Sequence, residues 1–258
     1  MEQFLNDFPV FLLIFVRIAA FFVAAPFFSY RNIPVINKIA IAGALAFFAG
    51  FAIERPEIAI DGIFVLLVLK EAIVGLGIGL IAMMMLYAVQ VAGGFIDLQM
   101  GFAIANVVDP QTGAQSPLLG QFFYIFALLF LLAVDGHHML LDGIFSSYHL
   151  IPVEKLFFPF SDGQAAKHVA ASFVKMFIIA FQMAVPVVAS LFLVDVALGI
   201  IAKAVPQVNV FVVGLPLKIF VSFVVLLISF PVIFSIVRYL FKEMFYAMRT
   251  LMKLAGGV

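Results

Sequence analysis

The sequence predicts an all-α integral membrane protein of about six long, partly kinked hydrophobic helices, and three observations carry that expectation. Hydrophobic residues make up 66% of the 258-residue chain and charged residues only 11%, whereas about a quarter of a soluble domain is charged. Mean hydropathy is +1.26. The apolar residues are gathered into runs of membrane-spanning length, separated by short segments rich in proline, glycine and charge. No stretch is polar enough to form a separate globular unit, so residues 1–258 read as a single membrane-embedded domain.

The first element is the run from Phe8 to Phe28, interrupted by Pro9 and Arg17 and closed by the turn Ser29 to Pro34. The chain begins with acidic rather than basic residues, and this run is longer than a signal peptide's apolar region, so it reads as a retained membrane helix. Lys38 to Ile53 predicts a second helix rich in Ala and Gly. Ile63 to Val91 predicts a third, long enough to tilt, kink or protrude from the bilayer. Phe122 to Val134 is a short fourth, followed by the more polar Asp135 to His149 and a turn-rich connection from Pro152 to Gln164. Val169 to Ala204 and Leu217 to Leu240 complete the set, with Pro186, Pro206, Pro216 and Pro231 expected to kink or stop them. Beyond them, Phe241, Met244, Phe245, Met248 and Leu251 share one helical face, away from Lys242, Arg249 and Lys253. That amphipathic segment fits anionic lipid or a partner surface, or equally a frayed tail of the last span.

Charge does not orient these spans consistently. Four basic residues from Arg238 onward argue for a cytoplasmic C-terminus, and six spans would then put the N-terminus inside too. Yet no basic residue precedes Arg17, while the first loop carries Arg31 and Lys38. Helices buried in a protein assembly instead of crossing lipid would resolve the conflict. The same follows from the ionisable residues inside apolar runs, Arg17, Lys70, Glu71, Lys175, Asp195 and Lys218, each costing at least ~2.5 kcal/mol at a bilayer centre unless paired or facing a cavity. Gly75 and Gly79 form a GxxxG frame and Ala40 with Ala44 repeats its spacing, which lets helix backbones approach closely, within or between subunits.

The segment from Gly93 to Gly120 is weakly apolar, lacks basic residues and contains five glycines. Asp109-Pro110-Gln111-Thr112-Gly113 within it is a turn signal, since Pro fixes φ while Asp and Gly supply the flanking geometry. Two readings fit. One is a loop that closes a pore and can be displaced, because irregular backbone at membrane depth is tolerated only where it is buried or lines a cavity. The other is a short external connection between helices.

Other chemistry has less support. Asp135-Gly-His137-His138 with Asp142 invites a metal reading, His138 and Asp142 lying four apart on one face. Adjacent histidines on a regular helix, however, point about 100° apart and cannot both face one ion. No metal or cofactor is therefore expected. A proton relay through Lys70, Glu71 and Asp195 would make the chain a proton-coupled secondary transporter of a small solute, and structural ion pairs explain the same residues. Transporters of that kind usually carry inverted repeats, and none is legible here. The chain has no cysteine and lacks GxSxG, a phosphate-binding glycine loop and HExxH, so catalysis has no positive support. Basic and acidic residues balance at 14 each, which removes the excess expected of a nucleic-acid binder.

Several separated motifs resemble one family. Gly93-Gly94 through Leu98-Gln-Met-Gly101, Val108-Asp-Pro110, Asp135-Gly-His-His138 and Pro206-Gln-Val-Asn-Val-Phe-Val-Val-Gly-Leu-Pro-Leu-Lys218 stand in the order of the FliR family, whose injectisome counterpart is called SctT. The likeness covers nearly the whole chain, including Arg17 and the Pro26 to Pro34 turn, and the Pro206 to Lys218 stretch also looks like the companion FliP family. The resemblance implies a non-enzymatic subunit of the export gate of a bacterial type III secretion apparatus, in the cytoplasmic membrane at the flagellar basal body. Its helices would pack with FliP-like and FliQ-like membrane proteins into a hetero-oligomeric helical pore assembly that stands partly above the lipid. FlhB-like and FlhA-like export components are further implied partners, and unfolded flagellar proteins the substrates. The energy would come from the proton motive force and an ATPase, both supplied by other proteins. The family's plug maps onto Asn106, Val107, Val108, Asp109, Pro110, Gln111, Thr112, Gly113, Ser116 and Pro117.

Overall fold

The computed structural model describes residues 2–30, 33–53, 56, 58–102, 117–156, 163–207 and 209–257, with side chains from residue 8 onward. The described residues form seven helices and no strand: α1 (Glu2–Ala24), α2 (Val35–Ala52), α3 (Gly62–Met100), α4 (Leu118–Ala133), α5 (Gly136–Leu150), α6 (Gln164–Ala204) and α7 (Val210–Gly256). Among them α2, α3, α6 and α7 are long and apolar enough to cross a membrane, and α4 with α5 passes the same test when the pair is taken as one broken span.

Local chemistry sets the helix ends. Asp61 accepts hydrogen bonds at Oδ1 from the Ile63 and Phe64 amides, at 2.9 and 3.1 Å, and so caps α3. Asn209 does the same for α7 through the Phe211 amide at 3.1 Å. At the far end of α3, Gly101 adopts φ +91°, the Phe102 amide returns to the Asp97 carbonyl at 3.0 Å and the Gly101 amide to Leu98 at 3.3 Å. This is a Schellman stop, which needs a residue that tolerates the left-handed region.

Several elements differ from expectation. α3 continues nine residues past Val91 because the paired glycines Gly93 and Gly94 do not break a helix that has a packing partner there. A helix, α5, occupies the polar stretch after Asp135. Leu140, Ile144, Ser147 and Tyr148 are buried at helical spacing, a periodicity that the intervening His, Asp and Ser residues obscure. Of the four late prolines only Pro206 separates helices, while Pro186, Pro216 and Pro231 lie inside α6 and α7. The amphipathic C-terminal segment is the last part of α7, not a separate helix or a frayed tail.

The chain divides into two compact units. The first comprises Met1–Met85, Leu131–Phe173 and Phe241–Val258, and the second Leu86–Phe130 and Val174–Leu240. In the first unit α1 packs on α2, and Leu13, Ile14, Ile18 and Phe21 are fully buried, as are Met244 and Met248 of α7 at 0% and 1% exposure. In the second unit a phenylalanine cluster joins α4 to α7. Phe130 meets Phe234 at 5.1 Å and Phe126 meets Phe230 at 5.8 Å between ring centroids, edge-on geometries that aromatic quadrupoles favour. The outer faces of α6 and α7 in this unit stay apolar and open, as at Phe211, Leu227 and Ile228.

Candidate functional site

Of the expected plug, Asn106 to Gly113 and Ser116 lie outside the described residues, and Pro117 lies within them. The two ends of that segment are joined in the second unit by a compact arrangement. Asp97, near the end of α3 and 2% exposed, accepts hydrogen bonds at Oδ2 from the amides of Leu119 at 3.0 Å and Gly120 at 3.5 Å. It therefore caps the first turn of α4 from another helix, satisfying amides that a helix start leaves without partners. Its Oδ1 is buried without a hydrogen-bond partner among the described residues. Beside it the backbones touch. A Cβ placed on Gly93 would lie 2.8 Å from the Leu119 carbonyl carbon, and one on Gly94 would lie 3.3 Å from Pro117 Cγ. Asp97 was not among the intramembrane charges singled out by sequence reasoning. The available signal was an acid between Ile96 and Leu98 at the end of an apolar run.

A second constellation sits in the first unit. Arg17 on α1 donates to both carboxylate oxygens of Glu71 on α3, from Nε to Oε2 and from Nη2 to Oε1 at 2.9 Å. Its remaining donors reach Ser147 Oγ at 2.9 Å and the Ile151 carbonyl at 2.8 Å. The Tyr148 ring stacks 4.2 Å from its Cζ, and the Tyr148 hydroxyl donates to the Ile14 carbonyl at 3.0 Å. Lys70 approaches Glu71 Oε1 at 2.7 Å and donates to the carbonyls of Pro152, Val153 and Lys155 at 2.9, 3.1 and 3.2 Å. Arg17, Lys70 and Glu71 are at most 1% exposed. Two cations, one anion and four backbone carbonyls thus satisfy one another, as a buried ion cluster requires. Chemically the cluster can fix the register of α1, α3 and α5, and Glu71 presents no oxygen to solvent.

Gly75 and Gly79 lie one and two turns further along α3, against α1. A Cβ on Gly79 would stand 2.9 Å from the Phe21 carbonyl oxygen, the Ala25 nitrogen and the Ala24 Cβ, and one on Gly75 would stand 3.0 Å from Phe21 N and overlap the Arg17 carbonyl. Asp195 pairs with Lys218 between α6 and α7 and accepts at Oδ2 a hydrogen bond from the Gln99 amide Nε2 at 2.9 Å. Its side chain is 36% exposed and that of Lys218 21%. Glu71 and Asp195 therefore belong to separate clusters in separate units.

The histidine motif lies at the start of α5. His138 Nδ1 pairs with Asp135 at 3.5 Å, and the rings of His137 and His138 lie 4.0 Å apart. Asp135, immediately before α5, takes φ 57°. Donor atoms of Asp135, His137 and His138 all come within 4.8 Å of one another. Tetrahedral zinc, with bonds of about 2.0–2.1 Å, needs donors roughly 3.4 Å apart.

These helices, ion pairs and glycine contacts occur in a chain whose residues 8–244 match the family described as bacterial export proteins, family 1. It is 56% identical to the flagellar biosynthetic protein FliR of Bacillus subtilis (strain 168), over 99% of each chain. The chain belongs to the FliR family of bacterial export proteins. The FliR of Escherichia coli (strain K12) is 28% identical over 95% of this chain and 93% of its own. The Yop proteins translocation protein T of Yersinia pestis is 29% identical over 82% of each. FliR-family membership thus spans flagellar and secretion-associated relatives, and it covers both compact units.

Proposed function

We propose that this chain is a non-enzymatic subunit of a type III secretion export gate in the bacterial cytoplasmic membrane, at the flagellar basal body. With FliP-like and FliQ-like proteins it forms the pore through which unfolded flagellar proteins pass, and residues 106–117 plug that pore at rest. The observation that carries the reading is the 56% identity to a flagellar FliR along the entire chain.

Two physical features support it. Exposed apolar side chains run along α7 from Phe211 to Tyr239 and along α6 from Val174 to Ile201, roughly 42 and 40 Å at 1.5 Å per residue. A hydrocarbon layer is about 30 Å thick, so each face is longer than an untilted crossing requires, which supports protein partners along part of it. The half-exposed Asp195–Lys218 pair on those helices fits a protein-covered face better than lipid. A proton-coupled transporter, by contrast, needs an accessible carboxylate, and both oxygens of Glu71 are held by Arg17 and Lys70.

The test is native mass spectrometry of the tagged chain, extracted mildly after expression with its neighbouring genes. Recovery in a large complex with multiple copies of two other small membrane proteins is expected, and recovery as a monomer or homodimer would overturn the assembly. For the plug, deleting Pro110 to Ser116 is expected to leave that complex intact and to make it leaky to small solutes. An intact complex that stays tight would refute the plug.

A further inference from the structure

We infer that the groove between α5 and the last turns of α7 is a docking site for an acidic amphipathic helix of another protein. The two helices run side by side in the same direction there. A Cβ on Gly143 would stand 3.1 Å from Met248 Cε, and one on Gly256 would overlap the Leu150 carbonyl oxygen. The groove they leave encloses about 540 Å³, within the range of about 300–1,000 Å³ typical of binding sites. It lies wholly in the first unit, and its occupation does not depend on the plug.

The chemistry of the walls selects the occupant. The floor is apolar, with Met248 and Met252 at 1% and 3% exposure and Phe245 beside them. Thioether side chains adapt to varied apolar partners. The α7 wall carries Arg249 and Lys253, exposed and four residues apart on one face. The α5 wall carries Asp142, Ser146 and His149, exposed and repeated at helical spacing. Among the described residues Asp142, His149, Arg249 and Lys253 make no side-chain hydrogen bond or ion pair within the groove. Two unpaired cations thus stand over an apolar floor.

A phospholipid suits these walls poorly. The floor runs from Phe245 to Lys253, about 12 Å at 1.5 Å per residue, which is shorter than half of a hydrocarbon layer of about 30 Å. An acyl chain would also lie against the polar α5 wall along its whole length, and Asp142 would repel an anionic headgroup. A peptide helix satisfies both walls. Residues four apart on any helix are separated by about 5–6 Å, so two carboxylates one turn apart meet Arg249 and Lys253 in register. The guanidinium of Arg249 offers a fork that matches a carboxylate. Apolar residues between those carboxylates seat on the methionines, as in other helix-in-groove complexes.

The test uses a fluorescein-labelled, alanine-based helical peptide with Glu residues four apart and Leu residues between them on the same face. Its binding to the full chain in mild detergent is read by fluorescence anisotropy. Replacing Glu by Gln in the peptide is expected to weaken binding about tenfold, the combined effect of two partly solvated ion pairs. Arg249→Glu with Lys253→Glu is expected to cause a similar loss and to reverse the preference, so that a Lys version of the peptide binds better than the Glu version. Asp142→Asn removes the acid of the groove and is expected to tighten the Glu peptide about two- to fivefold, a gain that a misfolded variant does not give. Equal binding of the Glu and Gln peptides, no reversal of preference, or no gain with Asp142→Asn would overturn the proposal. Displacement of the Glu peptide by phosphatidylglycerol added to the detergent would give the groove to lipid and overturn it as well.

Discussion

The Arg17 guanidinium holds the Glu71 carboxylate through two parallel hydrogen bonds, between residues 54 apart in sequence and with neither side chain exposed. Bidentate pairing of this kind fixes geometry as well as charge. Glu71→Gln leaves Arg17 and Lys70 as two uncompensated buried cations. The expected loss is about 3–5 kcal/mol, read as a collapse in the yield of monodisperse protein. Arg17→Lys is expected to fail almost as badly, because an ammonium cannot bridge both oxygens. Wild-type yield with Glu71→Gln would remove the structural role.

Gly75 and Gly77 differ by two positions and by what faces them. A methyl at Gly75 overlaps α1 backbone, while one at Gly77 meets Leu251 Cδ2 at an ordinary 3.7 Å. Gly75→Ala is expected to cost about 1–3 kcal/mol through forced separation of α1 and α3, and Gly77→Ala to stay within ~0.5 kcal/mol. Thermal aggregation in detergent measures both. Equal midpoints for the two variants would contradict the backbone contact.

Met244 and Met248 are buried in the first unit, while Lys242, Arg249 and Lys253 point outward. Met248→Ala is expected to destabilise the chain by about 2–5 kcal/mol, whereas neutralising the three cations leaves folding unchanged. If binding to anionic lipid were this helix's task, the cations would dominate instead. Flotation with anionic vesicles, alongside thermal denaturation, separates the two.

The Asp195–Lys218 pair lies half-exposed on helices that are otherwise apolar there. Asp195→Asn is expected to weaken assembly by about 1 kcal/mol, the range of partly solvated pairs, and the exchange Asp195→Lys with Lys218→Asp to recover most of it. The fraction of tagged chain in the large complex is the readout. An exchange no better than the single substitution would show that Asp195 works through Gln99 and not through Lys218.

The fold class was legible because composition and run length report solvent directly: α1, α2, α3, α4, α6 and α7 each coincide with an apolar run. α5 was not, since its buried stripe of Leu140, Ile144 and Tyr148 is diluted by polar residues that face outward. The end of α3 was misjudged for a different reason. Gly93 lowers helix propensity locally, and tertiary contact with Gly120 overrides it. Arg17, Lys70 and Glu71 drew notice as charges in apolar surroundings, but their meeting with Ser147 and the Ile151 carbonyl depends on contacts more than a hundred residues apart. Asp97 was passed over because its partners are backbone amides, which no side-chain motif announces.

The buried arginine also sets a timetable. Arg17 leaves the ribosome well before the residues that neutralise it. At 5–20 residues per second, Glu71 follows after about 3–11 s and Ser147, 130 residues later, after roughly 7–26 s. A lone arginine at the centre of a bilayer costs at least ~2.5 kcal/mol. The first helix therefore has reason to linger beside the insertion machinery until the third emerges, and the order of synthesis becomes part of how this protein enters its membrane.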